Sequence, residues 1–393
     1  MSPEAILREV AAAVALVEGE AGVRDLIGIV ARLEPVAVRR ISRTSELPVP
    51  IVAAICAELR KRGVVGRERP VRLTPLGRKL FSCRPSATLS SVCPSCEGRE
   101  IVLPNELSDV TAELTKVSEA APTARAEIDQ SHCTAPSKLR RVLLLHEAGA
   151  LADKRVLLLG DDDLTSVAVD RVARHYGFAG SIREVAVVDV DPAVLAFCRA
   201  RLAAAAFPVT LVHHDLREPL PPELRGRFDT VFTDPPYTQE GAELFLSRAA
   251  AALCPSGGGS VFLCFGMKPP HESLRIQAAI ARMGFVIRRL VRNFNEYQGA
   301  GTLGGVSHLY HLTATNDTRP SIAGTYRGRL YTGDDRRARR YRCASCGAIE
   351  TVGNGERWAT VSDLKAHRCP RCGAGIFRPL PRAGGAAASR AER

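Results

Sequence analysis

The chain has 393 residues with 54 Lys+Arg against 42 Asp+Glu, a net charge of +12 and a pI near 9.4. Its 46% hydrophobic and 24% charged residues are globular values, which excludes whole-chain disorder, and the length predicts two or three domains. No apolar run reaches the roughly 18 residues of a membrane helix, which excludes that class.

The opening residues lack the basic-then-apolar pattern of a signal peptide, so a cytoplasmic chain is expected. Its 12 cysteines then read as thiols and metal ligands rather than disulfides. The charge is unevenly spread. Residues 319–393 hold 16 Lys+Arg and six Asp+Glu, hence +10, and the other 318 residues are close to neutral. The basic pI therefore belongs to the C-terminal segment and does not identify a substrate.

Residues 1–85 are predicted to form helices over Val23–Leu33, Val36–Arg43 and Val49–Arg62, with apolar residues at helical spacing. A short basic wing follows at Val64–Leu73, and Thr74-Pro75 opens another helix. This order resembles a winged helix-turn-helix. Such folds bind DNA through the third helix or serve as dimerisation and packing modules, and the packing role is expected here. Lys61, Arg62, Arg67 and Arg69 form the one notable basic cluster of this segment.

Residues 86–135 read as a linker. It carries the knuckle Cys93-Pro-Ser-Cys96, where reduced structural thiols are the expected reading and half of a zinc site, with Cys83 and Cys133 as candidate completing ligands, is the alternative. Cys56, Cys198, Cys254 and Cys264 lie in apolar contexts and are expected in the core.

From residue 136 to 317 strands alternate with helices. The strands are expected at Val156–Leu159, Val185–Val190, Val209–His213, Thr230–Thr233, Ser260–Phe265, Val286–Asn293 and Leu309–Thr313. This βαβ pattern predicts a doubly wound Rossmann-like α/β domain of the class I methyltransferase type, with ligands at the C-terminal ends of the strands.

Acidic groups collect at those ends. Strand one ends in Gly160-Asp161-Asp162-Asp163, where three carboxylates disfavour a phosphate and favour a sulfonium or a polyamine. Asp189 stands at the usual ribose position, Asp191 at a helix N-cap, and Asp215 at the usual adenine position. Strand four ends in Asp234-Pro235-Pro236-Tyr237. Two prolines fix a carboxylate and a carbonyl beside an aromatic ring, an arrangement that orients an amine and exposes its lone pair. His213-His214 reads as core and pocket wall, and Gly299–Gly305 as a lid or turn.

Residues 318–393 form a basic extension. Cys343, Cys346, Cys369 and Cys372 make two CxxC knuckles, each followed by glycine, and predict a structural Zn2+ ribbon. Four cysteines leave no open position for catalysis. The Ala/Gly-rich tail from Ala383 is expected to be disordered.

The run Leu159-Gly-Asp-Asp-Asp-Leu-Thr-Ser-Val-Ala168 resembles the signature of the branched-chain polyamine synthases, the bis(aminopropyl)spermidine synthase family. Supporting segments follow the same order: Cys93–Arg99, Asp129-Gln130, Asp215–Pro221, Phe228–Pro236 and Arg292–Tyr297. The resemblance covers roughly residues 1–315. It implies a homodimer that transfers aminopropyl groups from decarboxylated S-adenosylmethionine to the secondary nitrogen of spermidine, releasing methylthioadenosine. Tyr237, where some relatives carry Glu, and the C-terminal ribbon depart from the family pattern.

On that resemblance, Asp162 and Asp163 bind and deprotonate the attacking amine and Asp161 orients them. Asp234 accepts a second N–H and Tyr237 packs on the carbon chain. Gly160, Asp189, Asp191 and Asp215 serve the cofactor, while Asp129, Gln130, Asn293, Phe294, Asn295, Glu296 and Tyr297 close the pocket. Two rival readings stand: an S-adenosylmethionine-dependent methyl or aminocarboxypropyl transferase on nucleic acid or another small amine, for which the basic extension would bind nucleic acid, and a non-enzymatic DNA-binding regulator.

Overall fold

The computed structural model describes residues 2–81, 93–255, 258–298, 305–332, 339–352, 357–358 and 361–380. Cys83, residues 299–304 and the tail from Ala383 lie outside them. The chain divides into two compact units, Met1–Arg125 with Gln130–Gly328, and Ala126–Asp129 with Arg329–Arg393.

The larger unit begins with five helices: α1 (Pro3–Val14), α2 (Gly19–Leu33), α3 (Val38–Ser45), α4 (Val49–Lys61) and α5 (Pro75–Leu80). The helix α1 was not among those expected. Its start follows from chemistry at its end, because the Ser2 side chain accepts the Ala5 N–H ahead of Pro3. Thr74 does the same for α5 through the Gly77 N–H. Leu7, Val10, Leu26, Val30, Val52, Ile55 and Leu59 face inward into one apolar core. Between α4 and α5 the chain makes single antiparallel bridges, Val65 to Leu73 and Val36 to Val71, rather than strands of regular length.

The segment expected to be a linker contains α6 (Ser108–Glu119). Its Val110, Leu114 and Val117, at i, i+4 and i+7, join the core of the following domain. Then come α7 (Ala135–Glu147), β1 (Arg155–Leu159), α8 (Thr165–His175), β2 (Glu184–Asp189), α9 (Pro192–Leu202), β3 (Val209–His213), β4 (Thr230–Thr233), α10 (Gln239–Ala252), β5 (Ser260–Gly266), α11 (Pro270–Arg282), β6 (Phe285–Glu296) and β7 (Val306–Ala314).

The seven strands form one sheet in the order β3-β2-β1-β4-β5-β7-β6, with β7 antiparallel to both neighbours and the rest parallel. Alternate residues feed the two faces. Val156, Leu158, Val185 and Val187 enter one core, while Leu157, Leu159, Ala186 and Val188 enter the other. Burial on both faces is what a helix-covered parallel sheet requires. This is the α/β, methyltransferase-like architecture. The β6–β7 ladder runs past the apolar stretches that announced it, into the polar residues Asn295 and Glu296. Strand order reverses between β1 and β4, and such a switch point opens a crevice at the carboxyl ends of the strands.

The smaller unit has β8 (Arg339–Cys343), β9 (Ile349–Val352), α12 (Val361–His367) and β10 (Phe377–Pro379), with sheet order β10-β8-β9. Its core is small: Val352, Trp358, Leu364 and Phe377 beside Cys343 and Cys369. No helix among the described residues is long and apolar enough to cross a membrane.

Candidate active site

The turn after β1 places three carboxylates in three different environments. Gly160 takes φ +79, and a Cβ there would meet nothing within 4 Å, so the backbone lies open to a ligand. Asp161 is turned into the protein. Its carboxylate accepts the Ser166 hydroxyl and amide at the start of α8, and burial pushes its pKa up to about 7. Asp162 is partly buried and accepts the Ser131 amide at 3.1 Å. Burial, then the charges of Asp163, Asp189 and Asp234, hold its carboxyl well above the usual range. Asp163 is the opposite case. Burial raises its pKa, but Arg141 and Lys138 with the Cys133 amide outweigh this and leave it below the ordinary value.

Arg141 organises the site. It comes from α7 and is 0% exposed. Its Nη1 donates to Asp163 and its Nη2 to Asp234, both at 2.7 Å, while Nε donates to the Asn295 side chain at 2.7 Å. It also lies 5.1 Å from the Phe232 ring centroid. Both carboxylates are therefore tied to one buried cation.

Asp234 ends the network at β4. It accepts the hydroxyls of Tyr297 at 2.6 Å and Tyr237 at 3.0 Å, and burial pushes its pKa up to about 6 despite Arg141. Tyr237 fits because β5 ends in Gly266, where a Cβ would approach the Tyr237 ring to 2.5 Å. Pro235 and Pro236 are buried, and the Pro236 carbonyl accepts the Thr238 amide at 2.8 Å.

The remaining expected residues separate. Asn295 and Tyr297 join Arg141 and Asp234, since Tyr297, the residue after β6, continues the alternation that turns Asn295 to one side. Phe294 is fully buried in the sheet core, and Glu296 turns to Arg99. The Asn293 side-chain amide donates to the Arg43 carbonyl at 3.1 Å.

Asp189 receives the amides of Asp161 and Asp191, each at 2.8 Å. Asp191 caps α9 through the Ala193 amide and accepts Gln130 Nε2 at 3.2 Å. Asp215 is clamped by the Arg217 guanidinium at 2.7 Å. His213 and His214 lie against the carbonyls of Val190 and Pro219. In the smaller unit, the Asp129 carboxylate accepts the Thr332 amide at 2.7 Å and its hydroxyl.

Sequence reasoning missed Arg141, Lys138 and the amides of Ser131–Cys133. Arg141 sits in Lys138-Leu-Arg-Arg141, which reads as a solvated helix face; its one signal is that positions 138 and 141 share a face with Val142 and Leu145.

In the smaller unit the Sγ atoms of Cys343, Cys346, Cys369 and Cys372 lie within 4.8 Å of one another. Cys343 to Cys372 and Cys346 to Cys369 are each 3.6 Å. Four thiolates about 2.3 Å from a tetrahedral zinc stand at nearly that separation, so the donor set is compatible with the ion.

The family model described as the branched-chain polyamine synthase A C-terminal domain matches residues 109–339. An uncharacterized protein of Methanocaldococcus jannaschii is 34% identical over 96% of this chain and 93% of its own length. The N(4)-bis(aminopropyl)spermidine synthase of Thermococcus kodakarensis is 32% identical over 67% of this chain and 74% of its own.

A crystal structure of the branched-chain polyamine synthase from Thermus thermophilus, in complex with N4-aminopropylspermidine and 5'-methylthioadenosine, superposes with a TM-score of 0.65 at 25% identity. The match covers 84% of this chain and 96% of that one. With the acidic turn of β1, the Asp-Pro-Pro end of β4 and this fold in one molecule, the chain belongs to the branched-chain polyamine synthase family.

Proposed function

We propose that this protein transfers the aminopropyl group of decarboxylated S-adenosylmethionine to an amine nitrogen of spermidine or a related polyamine, giving a branched polyamine and methylthioadenosine. The observation that carries the reading is the division of labour among the carboxylates at the switch point. Asp163 and Asp234 share one buried cation, whereas Asp162 has none bonded to it.

A polyamine nitrogen is protonated at neutral pH and must lose a proton before it attacks. Asp162 is the group suited to take it, because burial and its three carboxylate neighbours raise its proton affinity. Asp234, fixed by Arg141 and two tyrosines, accepts a further N–H from the acceptor and orients its lone pair. Tyr237 offers a ring beside the carbon chain. The open backbone at Gly160 admits the nucleoside, and each Asp189 oxygen keeps a lone pair for a ribose hydroxyl.

The donor supplies a methylene made electrophilic by its sulfonium. Asp162 takes the ammonium proton first and so frees the lone pair. The N–C bond then forms as the C–S bond breaks, with the electron pair leaving on sulfur and the product nitrogen keeping its remaining N–H as an ammonium. Asp161 holds the turn by binding α8, and Asp215 meets the adenine while held by Arg217.

The Cys343–Cys372 cluster binds a structural Zn2+, supported by its four converging thiols. The α1–α5 module is read as a winged helix in a packing role, and the chain as a cytoplasmic homodimer. The test is mass spectrometry of products formed from decarboxylated and from intact S-adenosylmethionine with a panel of amines. An aminopropyl adduct of spermidine with methylthioadenosine is expected. A methylated or aminocarboxypropylated amine from the intact donor would overturn the reading.

A further inference from the structure

Three CxxC turns occur among the described residues, and they share one backbone form. In each, the amide of the residue after the second cysteine donates to the carbonyl of the first cysteine: Gly347 to Cys343 at 3.0 Å, Gly373 to Cys369 at 2.8 Å, and Glu97 to Cys93 at 2.8 Å. That residue has positive φ every time: +73 at Gly347, +72 at Gly373 and +50 at Glu97. Glutamate gains nothing locally from the left-handed region, so the Cys93–Cys96 turn is held there by its surroundings. The amides of Ser95 and Cys96 also point at the Cys93 sulfur and lower its pKa.

The surroundings carry a charge excess. Glu97 accepts Arg43 and Arg99 at 3.0 Å each, and Glu296 accepts the same two arginines. Arg140 feels all four of these charges, is 9% exposed, and has Nε and Nη1 buried without a hydrogen-bond partner. Three guanidiniums thus face two carboxylates, an excess of one positive charge that a fixed anion would offset.

Cys93 is exposed and Cys96 is buried. Among the described residues no third Cys, His, Asp or Glu joins them in a group able to hold a metal. Cys133 is 0% exposed and its amide is bonded to Asp163.

We propose that Cys93 and Cys96 form half of a tetrathiolate zinc site completed by the same two cysteines of a second copy of this chain. A two-fold axis through the metal brings identical pairs together and closes the tetrahedron that one pair leaves open. Zinc bound by four thiolates carries a charge of −2, so each copy's share is −1, matching the local excess of +1. No oxidant is involved; the thiols release protons as the metal binds.

The test is zinc content per chain by elemental analysis of the full-length protein, comparing wild type with Cys93→Ser. The exposed position leaves the fold intact, and taking the difference removes the contribution of the C-terminal cluster. A loss of about half a zinc per chain is expected from sharing between two copies. Native mass spectrometry is expected to find that zinc only in dimers, and Cys83→Ser is expected to retain it. A loss of about one zinc per chain, or dependence on Cys83, would mean a site within one chain and overturn the proposal. So would no loss at all.

Discussion

The two units are held together by different means, and the contrast separates what burial can do from what coordination must do. The larger unit stacks apolar cores on both faces of a seven-stranded sheet and can bury even Arg141 among carboxylates. The smaller has a handful of buried side chains around four cysteines. A core of that size leaves little after conformational entropy is met, so a metal held by the four thiols would be the fold's main support. One unit buries a cation among its carboxylates, and the other would depend on a metal capturing its four thiolates.

The largest way to break that contrast is to remove the cluster. Cys346→Ser with Cys369→Ser is expected to abolish order across β8, β9, α12 and β10, since structural zinc supplies on the order of 10–16 kcal/mol in small domains. Hydrogen exchange should show those amides unprotected while the sheet strands keep their protection.

Next is Arg141→Met, which leaves Asp163 and Asp234 buried without their cation. Breaking a buried ion pair costs about 3–5 kcal/mol. A fall in the thermal midpoint of the larger unit by roughly 10 °C is expected in calorimetry.

Asp162→Asn sharpens the comparison from the other side. Removing a general base is expected to slow turnover by roughly 10²–10⁴-fold. The thermal midpoint should hold or rise, because Asp162 has no bonded cation to strand. Asp163→Asn should lose both rate and stability, which distinguishes a reacting carboxylate from a paired one.

The smallest effect is one of pH. Asp161 at about 7 and Asp234 at about 6 bind protons more tightly folded than unfolded, where a carboxyl titrates near 4. Their contribution is fully present at low pH and is lost as pH rises from about 4 to about 7. Asp163, held low, works the other way, and its contribution is lost as pH falls. Denaturant unfolding of Asp161→Asn across this range should show a shallower decline than wild type.

The strands could be read because each is a short apolar run between turn residues, and the acidic ends followed from the topology. The internal occupation of those acids could be read only in part. Asp215 with Arg217 and Asp161 with Ser166 are neighbours in sequence, and local bonding was available as an explanation for both. The partners of Arg141 stand 22, 93 and 154 residues away, and nothing in a charged stretch of helix says which arginine turns inward. The separation of Phe294 and Glu296 from Asn295 and Tyr297 follows from strand alternation once the long extent of β6 is known. That extent was hidden because its last residues are polar.

The position of Arg141 has a consequence for where the catalytic module begins. By topology the Rossmann-type fold opens at β1, and a chain cut just before Arg155 would retain all seven strands. It would also lose the cation bonded to Asp163 and Asp234 and the amides of Ser131 and Cys133 that hold Asp162 and Asp163. The smallest transplantable piece that keeps this chemistry therefore starts no later than Ser131, upstream of the sheet itself. Any recombination between relatives at the first strand would join an acidic rim to a helix selected for a different rim.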